Sequence, residues 1–422
     1  MNINKILITV LAFSLMLGLS LSSACRSNTA QPGMAWLKQA GTGEGQDDAA
    51  SAVFSGRDVY IAGYTSGTLS GQEDSGIHDA LVMAYDKNAR ELWQKQFGTS
   101  KDTYARAVFA DASGIYAAGN ATGAFPGLAN AGNIDAFLYK LDLNGNPAWV
   151  RQFGGPENDY AYAVSGYGGD VYAAGVTYGT LSGQTGAGGS DCFLTKYDAG
   201  GTEIWTRQFG TPLNDYGYAV FADKNGVYVA GITYGEMSPL CGLGGAEAFV
   251  RKFDFQGNEG WTQQWGTDVN DYANAVTAGE DGIYVLGLTF GALTAEPNRG
   301  RADTFVSKLG FDGELLWTRQ FGTDASDFAW AVSAQGGRVY VTGYTSGTFD
   351  GQVNAGQYDA YAAAFDGDGD LLWLHEFGTL KDDYVKGISA GPAGVFIAGS
   401  TWGAFSARQG NDADIILARF EK

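Results

Sequence analysis

Short runs that alternate small or polar residues with larger apolar ones recur along most of the chain, separated by Gly, Asn and Asp. One stretch shows the unit clearly, with runs at residues 215–220, 227–233, 247–253 and 261–266. Runs of period two that end at turn residues are typical of β-strands. After the first residues, no segment shows the 3.6-residue period of a capped helix. The pattern therefore predicts an all-β chain with four short strands in each unit.

A tryptophan opens the fourth run of every unit, so its recurrence gives the number of units. It stands at Trp36, Trp93, Trp149, Trp205, Trp261, Trp317 and Trp373, with a first step of 57 residues and then a constant step of 56. A repeat of four strands cannot bury both of its faces alone, and it has to stack on its neighbours. Seven such units predict a seven-bladed β-propeller of four-stranded antiparallel blades.

The two ends of the repeat region predict how the ring closes. The last unit stops at Phe420, after its third strand, and lacks a fourth. A run around residues 34–41 precedes the first complete unit and has no partners within a unit of its own. We expect this run to complete the last blade, because an unpaired sheet edge is prone to aggregation. Residues 34–422 are thus predicted to form one propeller domain.

Alternation within the first strand of a unit predicts how the blades pack. Tyr216, Tyr218 and Val220 are expected on one face, with Gly217 and Ala219 on the other. A face of large side chains would then meet a face of small ones on the next blade.

The N-terminal residues are typical of a secreted bacterial protein. Residues 1–24 combine Lys5 with an apolar run and a small-residue cleavage site, as a signal peptide does. The residues before Cys25 resemble a lipoprotein box, although Ser22 stands where such boxes favour an aliphatic residue. We expect a lipid on Cys25, a tether over residues 25–33 and a location at the bacterial cell envelope, on the outer membrane or cell surface. Ordinary cleavage and a retained anchor are the alternatives.

The repeated motifs resemble a known family. The series Trp-x-x-Gln-Phe-Gly, Asp-Tyr-Ala-x-Ala-Val and Gly-Val-Tyr-Val-Ala-Gly-x-Thr is similar to the bacterial seven-bladed β-propeller (SBBP) repeat and covers residues 36–420. This resemblance implies a secreted or surface-attached propeller, in a family whose roles are mostly unassigned. The turn at residues 197–205 also resembles the Asp…Gly…Trp docking motif of quinoprotein-like propellers, which outer-membrane assembly lipoproteins share without binding a quinone.

Charge and residue inventory exclude several functions. The net charge of -20 disfavours nucleic acid and anionic lipid, which both require a basic surface. The two histidines, His78 and His375, stand at unrelated positions of their units, which argues against a histidine metal site or catalytic triad. We expect no cofactor and no metal, and membrane contact only through the lipid on Cys25.

Acidic residues recur at the predicted start of two strands in each unit. The first-strand set is Asp48, Asp159, Asp215, Asp271, Asp327 and Asp383, with Thr103 in the second unit. The third-strand set is Asp79, Asp135, Asp191, Glu247, Asp303, Asp359 and Asp414. The first set could surround a channel and hold a cation, or each residue of either set could cap a turn by accepting backbone N–H groups. Repetition in every unit favours the capping role.

Positions that differ between units are better candidates for binding. The residue after the second strand is aromatic in four units, as Tyr178, Tyr234, Phe290 and Trp402. Such rings could form a platform for sugar rings or for a protein partner; alternatively they pack between blades.

Cys192 and Cys241 lie near the start of the third strands of adjacent units. They could form a disulfide in an oxidising compartment, or they could be two buried thiols.

The sequence therefore favours a monomeric, non-catalytic binding or scaffolding propeller that engages protein or polysaccharide through one rim. A glycan lyase or hydrolase at the channel mouth is the main alternative, although no carboxylate pair stands out from the repeats. An outer-membrane assembly scaffold of the quinoprotein-like type is another.

Overall fold

The computed structural model describes residues 33–42, 45–56, 58–238, 244–295, 297–405 and 412–422, with the side chain of Phe54 left aside. The predicted signal peptide, the lipid site Cys25 and nearly all of the tether lie outside these residues, as does Cys241. Residues 33–422 form one compact unit. Over the described ranges, no helix has the length and apolar character needed to cross a membrane.

The described residues form seven sheets of four antiparallel strands, so the predicted propeller is confirmed. The first strands of the blades are β2 (Asp47–Ser55), β6 (Thr103–Asp111), β10 (Asp159–Tyr167), β14 (Asp215–Asp223), β18 (Asp271–Ala278), β22 (Asp327–Gln335) and β26 (Asp383–Gly391). The second strands are β3 (Asp58–Thr65), β7 (Gly114–Ala121), β11 (Asp170–Thr177), β15 (Gly226–Thr233), β19 (Ile283–Thr289), β23 (Arg338–Thr345) and β27 (Gly394–Thr401). The third strands are β4 (Asp79–Asp86), β8 (Asp135–Leu141), β12 (Asp191–Tyr197), β16 (Glu247–Phe253), β20 (Asp303–Leu309), β24 (Asp359–Asp366) and β28 (Asp414–Phe420). The fourth strands are β5 (Glu91–Phe97), β9 (Pro147–Phe153), β13 (Glu203–Phe209), β17 (Glu259–Trp265), β21 (Leu315–Phe321), β25 (Leu371–Phe377) and, for the seventh blade, β1 (Met34–Ala40).

The N-terminal strand completes the last blade, as the sequence predicts. β1 pairs antiparallel with β28, with Ala40 opposite Ile415 and Leu37 opposite Ala418. Each first strand contacts the first strands of both neighbouring blades, and β26 contacts β2. The ring is therefore closed by hydrogen bonds between the two ends of the repeat region.

The fourth strand of the fourth blade begins earlier than predicted. β17 starts at Glu259, which pairs with Phe253 next to a bulge. The sequence placed the start at Trp261 because Gly260 offers no side chain to pack. Backbone pairing needs no side chain, so the ladder continues through that glycine.

A β-bulge in every first strand changes the face on which the side chains lie. In β14 the register shifts between Gly217 and Ala219, so Tyr218 is the extra residue. Tyr216 and Tyr218 are consequently half-buried, whereas Val220 is buried in a core shared with the third blade. The prediction that these three residues share a face is wrong, because the period of two does not continue through a bulge.

Neighbouring blades nevertheless pack small residues against large ones. Between the fourth and fifth blades, Ala230 and Ala248 lie in one cluster with Ile283, Val285 and Phe305. All five side chains are fully buried. Contacts of this kind are the main source of stability, since each sheet has to cover its apolar faces.

The recurring tryptophan joins each blade to the next. The Trp205 indole N–H donates to the carbonyl of Phe255, in the turn between the third and fourth strands of the next blade, at 3.1 Å. Equivalent bonds of 3.1–3.3 Å are made by Trp36, Trp93, Trp149, Trp261 and Trp317. At Gly201 in such a turn, φ is +82° and a Cβ atom would lie 2.8 Å from the Trp149 ring. The Asp…Gly…Trp motif therefore connects blades structurally.

The acidic residues at strand starts cap turns, which confirms the favoured interpretation. Asp215 Oδ2 accepts the backbone N–H of Thr211 at 2.6 Å, and Asp191 Oδ2 accepts that of Ala187 at 2.7 Å. In the second blade the Thr103 hydroxyl oxygen takes the same role, accepting the Thr99 N–H at 3.0 Å. These carboxylates are almost completely buried in their own loops, away from the channel wall.

One residue of the first-strand set was assigned wrongly. Asp47, not Asp48, opens β2 and pairs with Thr65, as Asp159 pairs with Thr177 in the third blade. Asp47 Oδ2 accepts the Thr42 N–H at 2.6 Å, so it is the cap of the first blade. Two consecutive aspartates left the sequence register ambiguous, and strand pairing resolves it.

Burial of these caps makes stability depend on pH. Burial raises the pKa of Asp327 to about 6, against the hydrogen bonds from Thr345 and Thr323. A raised native pKa means that the folded state binds the proton more tightly than the unfolded state does. The stability from this group is therefore full below about pH 4 and is lost as the pH rises through about 6.

We predict that Asp327→Asn gains stability relative to the native protein between pH 4.5 and pH 7.5, by about 2 kcal/mol. An amide oxygen can still accept the Thr323 N–H, but it carries no charge into the buried loop. Urea unfolding at the two pH values measures the difference. Asp198→Asn is the control, because backbone hydrogen bonds, first that of Thr202, lower the pKa of exposed Asp198. The relative stability of Asp198→Asn should stay constant over this window, because the stability that comes from a lowered pKa is lost only as the pH falls below about 4. A pH-independent Asp327→Asn difference would contradict the prediction.

Candidate functional site

The seven first strands surround a central channel whose cavity measures about 580 Å³. The third residue after each cap lines it, and we call this set the inner ring: Ala50, Arg106, Tyr162, Tyr218, Asn274, Trp330 and Lys386. The residues directly after the caps form a second ring, nearer to the starts of the first strands, which we call the collar. Its members are Asp48, Tyr104, Tyr160, Tyr216, Tyr272, Phe328 and Tyr384. Six of the seven collar residues are aromatic, so Asp48 breaks the symmetry.

Charged residues occupy one side of the channel, on three adjacent blades. Lys386 of the seventh blade donates to Asp48 Oδ2 of the first blade at 2.6 Å. Asp48 is only 8% exposed, and the Tyr64 hydroxyl also lies beside its carboxylate. Arg106 of the second blade donates through Nε to Asn120 Oδ1 at 3.2 Å. Its guanidinium carbon lies 5.1 Å from the centre of the Tyr104 ring.

Aromatic residues occupy the opposite side of the channel. Tyr162 stacks on Tyr160 with ring centres 5.9 Å apart, and Tyr218 stacks on Tyr216 at 6.0 Å. Tyr162 and Tyr218, from adjacent blades, are 5.7 Å apart. Burial raises the pKa of Tyr162 to about 12, with Arg106 acting in the opposite direction, so the phenol is neutral at physiological pH. This side of the wall offers ring faces and hydroxyl groups without charge.

The aromatic residues picked out from the sequence lie at one end of this channel. Tyr178, Tyr234, Phe290 and Trp402 are 45%, 41%, 42% and 37% exposed, respectively, each directly after a second strand. Tyr178 contacts the collar residues Tyr160 and Tyr216, with ring centres 6.2 and 6.4 Å apart.

The first three of these residues come from consecutive blades, and collar tyrosines connect them. Phe290 contacts Tyr272 at 6.1 Å, and Tyr234 interacts with the Tyr272 hydroxyl. Trp402 is separated from Phe290 by the sixth blade, which carries Ser346 at this position. The structure thus brings three of the four aromatic residues into one belt and leaves Trp402 apart.

Further apolar side chains are exposed at the same end. They lie in the loops between second and third strands or in those that lead into first strands, which antiparallel pairing brings to one face. We call these residues, together with the four aromatic ones, the apolar rim. The additional members are Ile77, Leu128, Leu213, Val269, Val353 and Leu380, of which Leu380 is the most exposed at 87%.

A polar cluster lies beside the charged side of the collar. His78 Nδ1 is 2.9 Å from Asp102 Oδ1 and 3.1 Å from the Tyr104 hydroxyl. Burial, followed by the Asp48 charge, raises the pKa of nearby Tyr64 to about 12. The sequence analysis did not single out His78 as a site residue, because its partners come from the next blade and only the packing of the ring brings them together.

Two other predicted features give no site. Cys192 is fully buried, and burial raises the pKa of its thiol well above the ordinary value. Its suggested partner Cys241 lies outside the described residues. No group of three or more His, Cys, Asp or Glu residues within the described ranges is placed to hold a metal ion.

Sequence reasoning missed the channel residues because it continued the alternation of side chains through the bulge of each first strand. When Asp47 is taken as the cap of the first unit, the residue directly after the cap is aromatic in six units and an aspartate, Asp48, in the first. The third position then varies from Ala50 to Arg106 to Trp330. That contrast was present in the sequence, but the side chains concerned were assigned to the contact between blades.

Comparison with known proteins supports the class of fold. No protein-family model matches the chain. The Neurospora crassa Pan2 WD40 domain superposes with a TM-score of 0.51 at 10% identity, covering 90% of this chain and 92% of that one. The WD40 β-propeller domain of Doa1 also gives 0.51, at 9% identity, covering 92% and 96%. At these identities the similarity shows the fold alone: the protein is a seven-bladed β-propeller.

One curated protein is similar in sequence. It is the "Regulatory protein FlaEY" of Caulobacter vibrioides, 28% identical over 249 residues. The match covers 53% of this chain but only 24% of that protein. The matched half of this chain therefore spans about a quarter of that longer protein.

Proposed function

We propose that this propeller is a non-catalytic binding scaffold that engages a protein or polysaccharide partner through its apolar rim. The partner contacts one face of the ring, around the mouth of the channel. The closed ring serves as a rigid support that fixes the positions of the exposed side chains, which is the usual way in which loops on a scaffold carry binding function.

The observation that carries this proposal is the exposure of large apolar side chains around one mouth. Tyr178, Tyr234 and Phe290 present their rings together with apolar loop residues such as Leu380 and Val353. Exposed apolar patches on a protein surface mark sites that another molecule covers. Aromatic residues are also enriched where binding energy is concentrated. A protein partner accounts for the aliphatic loop residues, and a polysaccharide accounts for the rings alone.

The similarity to FlaEY supports a binding role, because that protein is named as a regulatory protein. A seven-bladed domain within a longer regulatory protein would serve as a contact module.

We predict that Tyr234→Ala weakens partner binding at least tenfold, because its ring is central in the aromatic belt. In one assay the full chain is immobilised, and the cell-envelope proteins of the source cells that bind to it are quantified by mass spectrometry. In the other, binding of the full chain to a glycan array is measured by fluorescence. Tyr167→Ala is the matched control, since Tyr167 is also 41% exposed but is the last residue of β10, at the opposite end of the channel. Equal loss in both variants, or none in Tyr234→Ala, would rule out the rim.

Envelope anchoring by a lipid on Cys25 belongs to the same proposal and rests on the sequence alone. It would hold the propeller at a membrane surface where envelope partners are available. We expect the intact mass of the protein extracted from membranes to show a diacylated Cys25 at its N-terminus. An unmodified chain in the soluble fraction would exclude the anchor.

A glycan-active enzyme is the second candidate, and the His78 cluster is the observation that favours it. His78, Asp102 and the Tyr104 hydroxyl form a connected hydrogen-bonded group beside the channel, and such groups can transfer protons. If the protein is an enzyme, incubation with polygalacturonate should release new reducing ends, and His78→Gln should abolish that release. If no new reducing ends are released, the enzyme hypothesis is contradicted and the binding role is retained.

A further inference from the structure

The channel wall carries polar groups that docking at the rim does not use. Lys386 and Arg106 bring two positive charges to a cavity that holds one carboxylate, Asp48. The whole chain carries 46 acidic and 26 basic residues, so an excess of positive charge is unusual for it. The excess lies within the channel, where screening by solvent is reduced.

Arg106 is the cation that remains available. Lys386 is neutralised by Asp48 at 2.6 Å, whereas Arg106 makes no ion pair with the described residues. Its Nε bond to Asn120 and its position over Tyr104 fix the plane of the guanidinium. A held guanidinium is the preferred partner of a carboxylate, which it binds through two parallel hydrogen bonds.

Asp48 is the one carboxylate of the wall, and its charge is already compensated. Its Oδ2 accepts from Lys386 at 2.6 Å, and the Tyr64 hydroxyl lies beside the same carboxylate. The Lys386–Asp48 pair therefore leaves the charge of Arg106 for a ligand.

The facing wall and the size of the cavity suit a ring. Tyr162, Tyr218 and Trp330 line the side opposite the charges. Ala50, the smallest inner-ring residue, leaves room beside Asp48. A volume of about 580 Å³ is within the range of small-molecule sites. Aromatic faces favour the C–H surface of a saccharide ring, while their hydroxyl groups add hydrogen bonds.

We infer that the channel binds an acidic sugar, a hexuronate unit whose carboxylate pairs with Arg106 and whose ring lies against the tyrosines. An organic phosphate fits less well, because its two negative charges would face one free cation and the Asp48 carboxylate. An amine fits less well because the wall already has more positive than negative charge. The inference concerns the channel and does not require a protein at the apolar rim.

The test is calorimetric titration of the full chain with trigalacturonate and with its methyl ester. The two ligands share rings and ring hydroxyls, but only the first carries carboxylates. We expect tighter binding of trigalacturonate, with a difference that shrinks as salt rises. Arg106→Gln should weaken trigalacturonate binding about 10- to 100-fold and leave ester binding unchanged, because a charged hydrogen-bonded pair contributes on that scale.

Further variants separate the carboxylate contact from the other contacts. Tyr162→Ala should weaken both ligands equally, because it removes a ring face and no charge. Arg90→Gln is the control, since Arg90 is 76% exposed in a turn outside the channel and its loss should change neither affinity. Circular dichroism and thermal unfolding establish that each variant is folded.

Three results would overturn the inference: equal affinity of the native protein for the acid and the ester, no binding of either, or full trigalacturonate affinity in folded Arg106→Gln. The first comparison needs no variant, so it decides the matter even if Arg106→Gln fails to fold. Loss of protein binding in Tyr234→Ala with trigalacturonate binding intact would show that the rim and the channel act separately.

Discussion

Pairing of β1 with β28 is the contact on which the rest of the structure depends. Each blade has two apolar faces and can bury them only between two neighbours. Without the N-terminal strand, the seventh blade would have three strands and an open edge, with Ile416 and Ala418 of its core less protected. The ladder that joins residues 34–40 to residues 415–420 therefore supports every interface around the ring. It also gives the domain the high contact order that is typical of slowly folding β proteins.

The seam where the chain ends meet is the point at which the repeat cannot be exact. Six tryptophans donate to the turn between third and fourth strands of the next blade, but the seventh blade has no such turn because its fourth strand comes from the N-terminus. Trp373, which would bond there, has no hydrogen-bond partner for its indole N–H among the described residues. It stacks on Phe420 instead, with ring centres 5.8 Å apart. Apolar stacking thus replaces a hydrogen bond at the closure.

Repetition also explains why the candidate site lies in the channel. Caps, tryptophans and interblade cores repeat because each blade needs them, so those positions are not free to vary. The inner-ring residues line the channel, and their type varies between blades, from Ala50 to Arg106 to Trp330. The channel wall can therefore carry charged residues on one side, namely Lys386, Asp48 and Arg106, and aromatic residues elsewhere, without loss of the fold.

Strand number, blade number, ring closure and the capping role of the acidic residues all followed from the sequence, because they depend on local pattern and on counting. Trp205 and its equivalents recur at a fixed step, and the capping bonds span four residues. The sequence also singled out Tyr178, Tyr234 and Phe290, but not that collar tyrosines join them. The tertiary structure alone decided which side chains face the channel, because a bulge in each first strand reverses the alternation that the sequence pattern assumes. It alone brought Asp48 to Lys386, 338 residues apart, and His78 to Asp102, since these pairs form between blades and closure of the ring sets their distance.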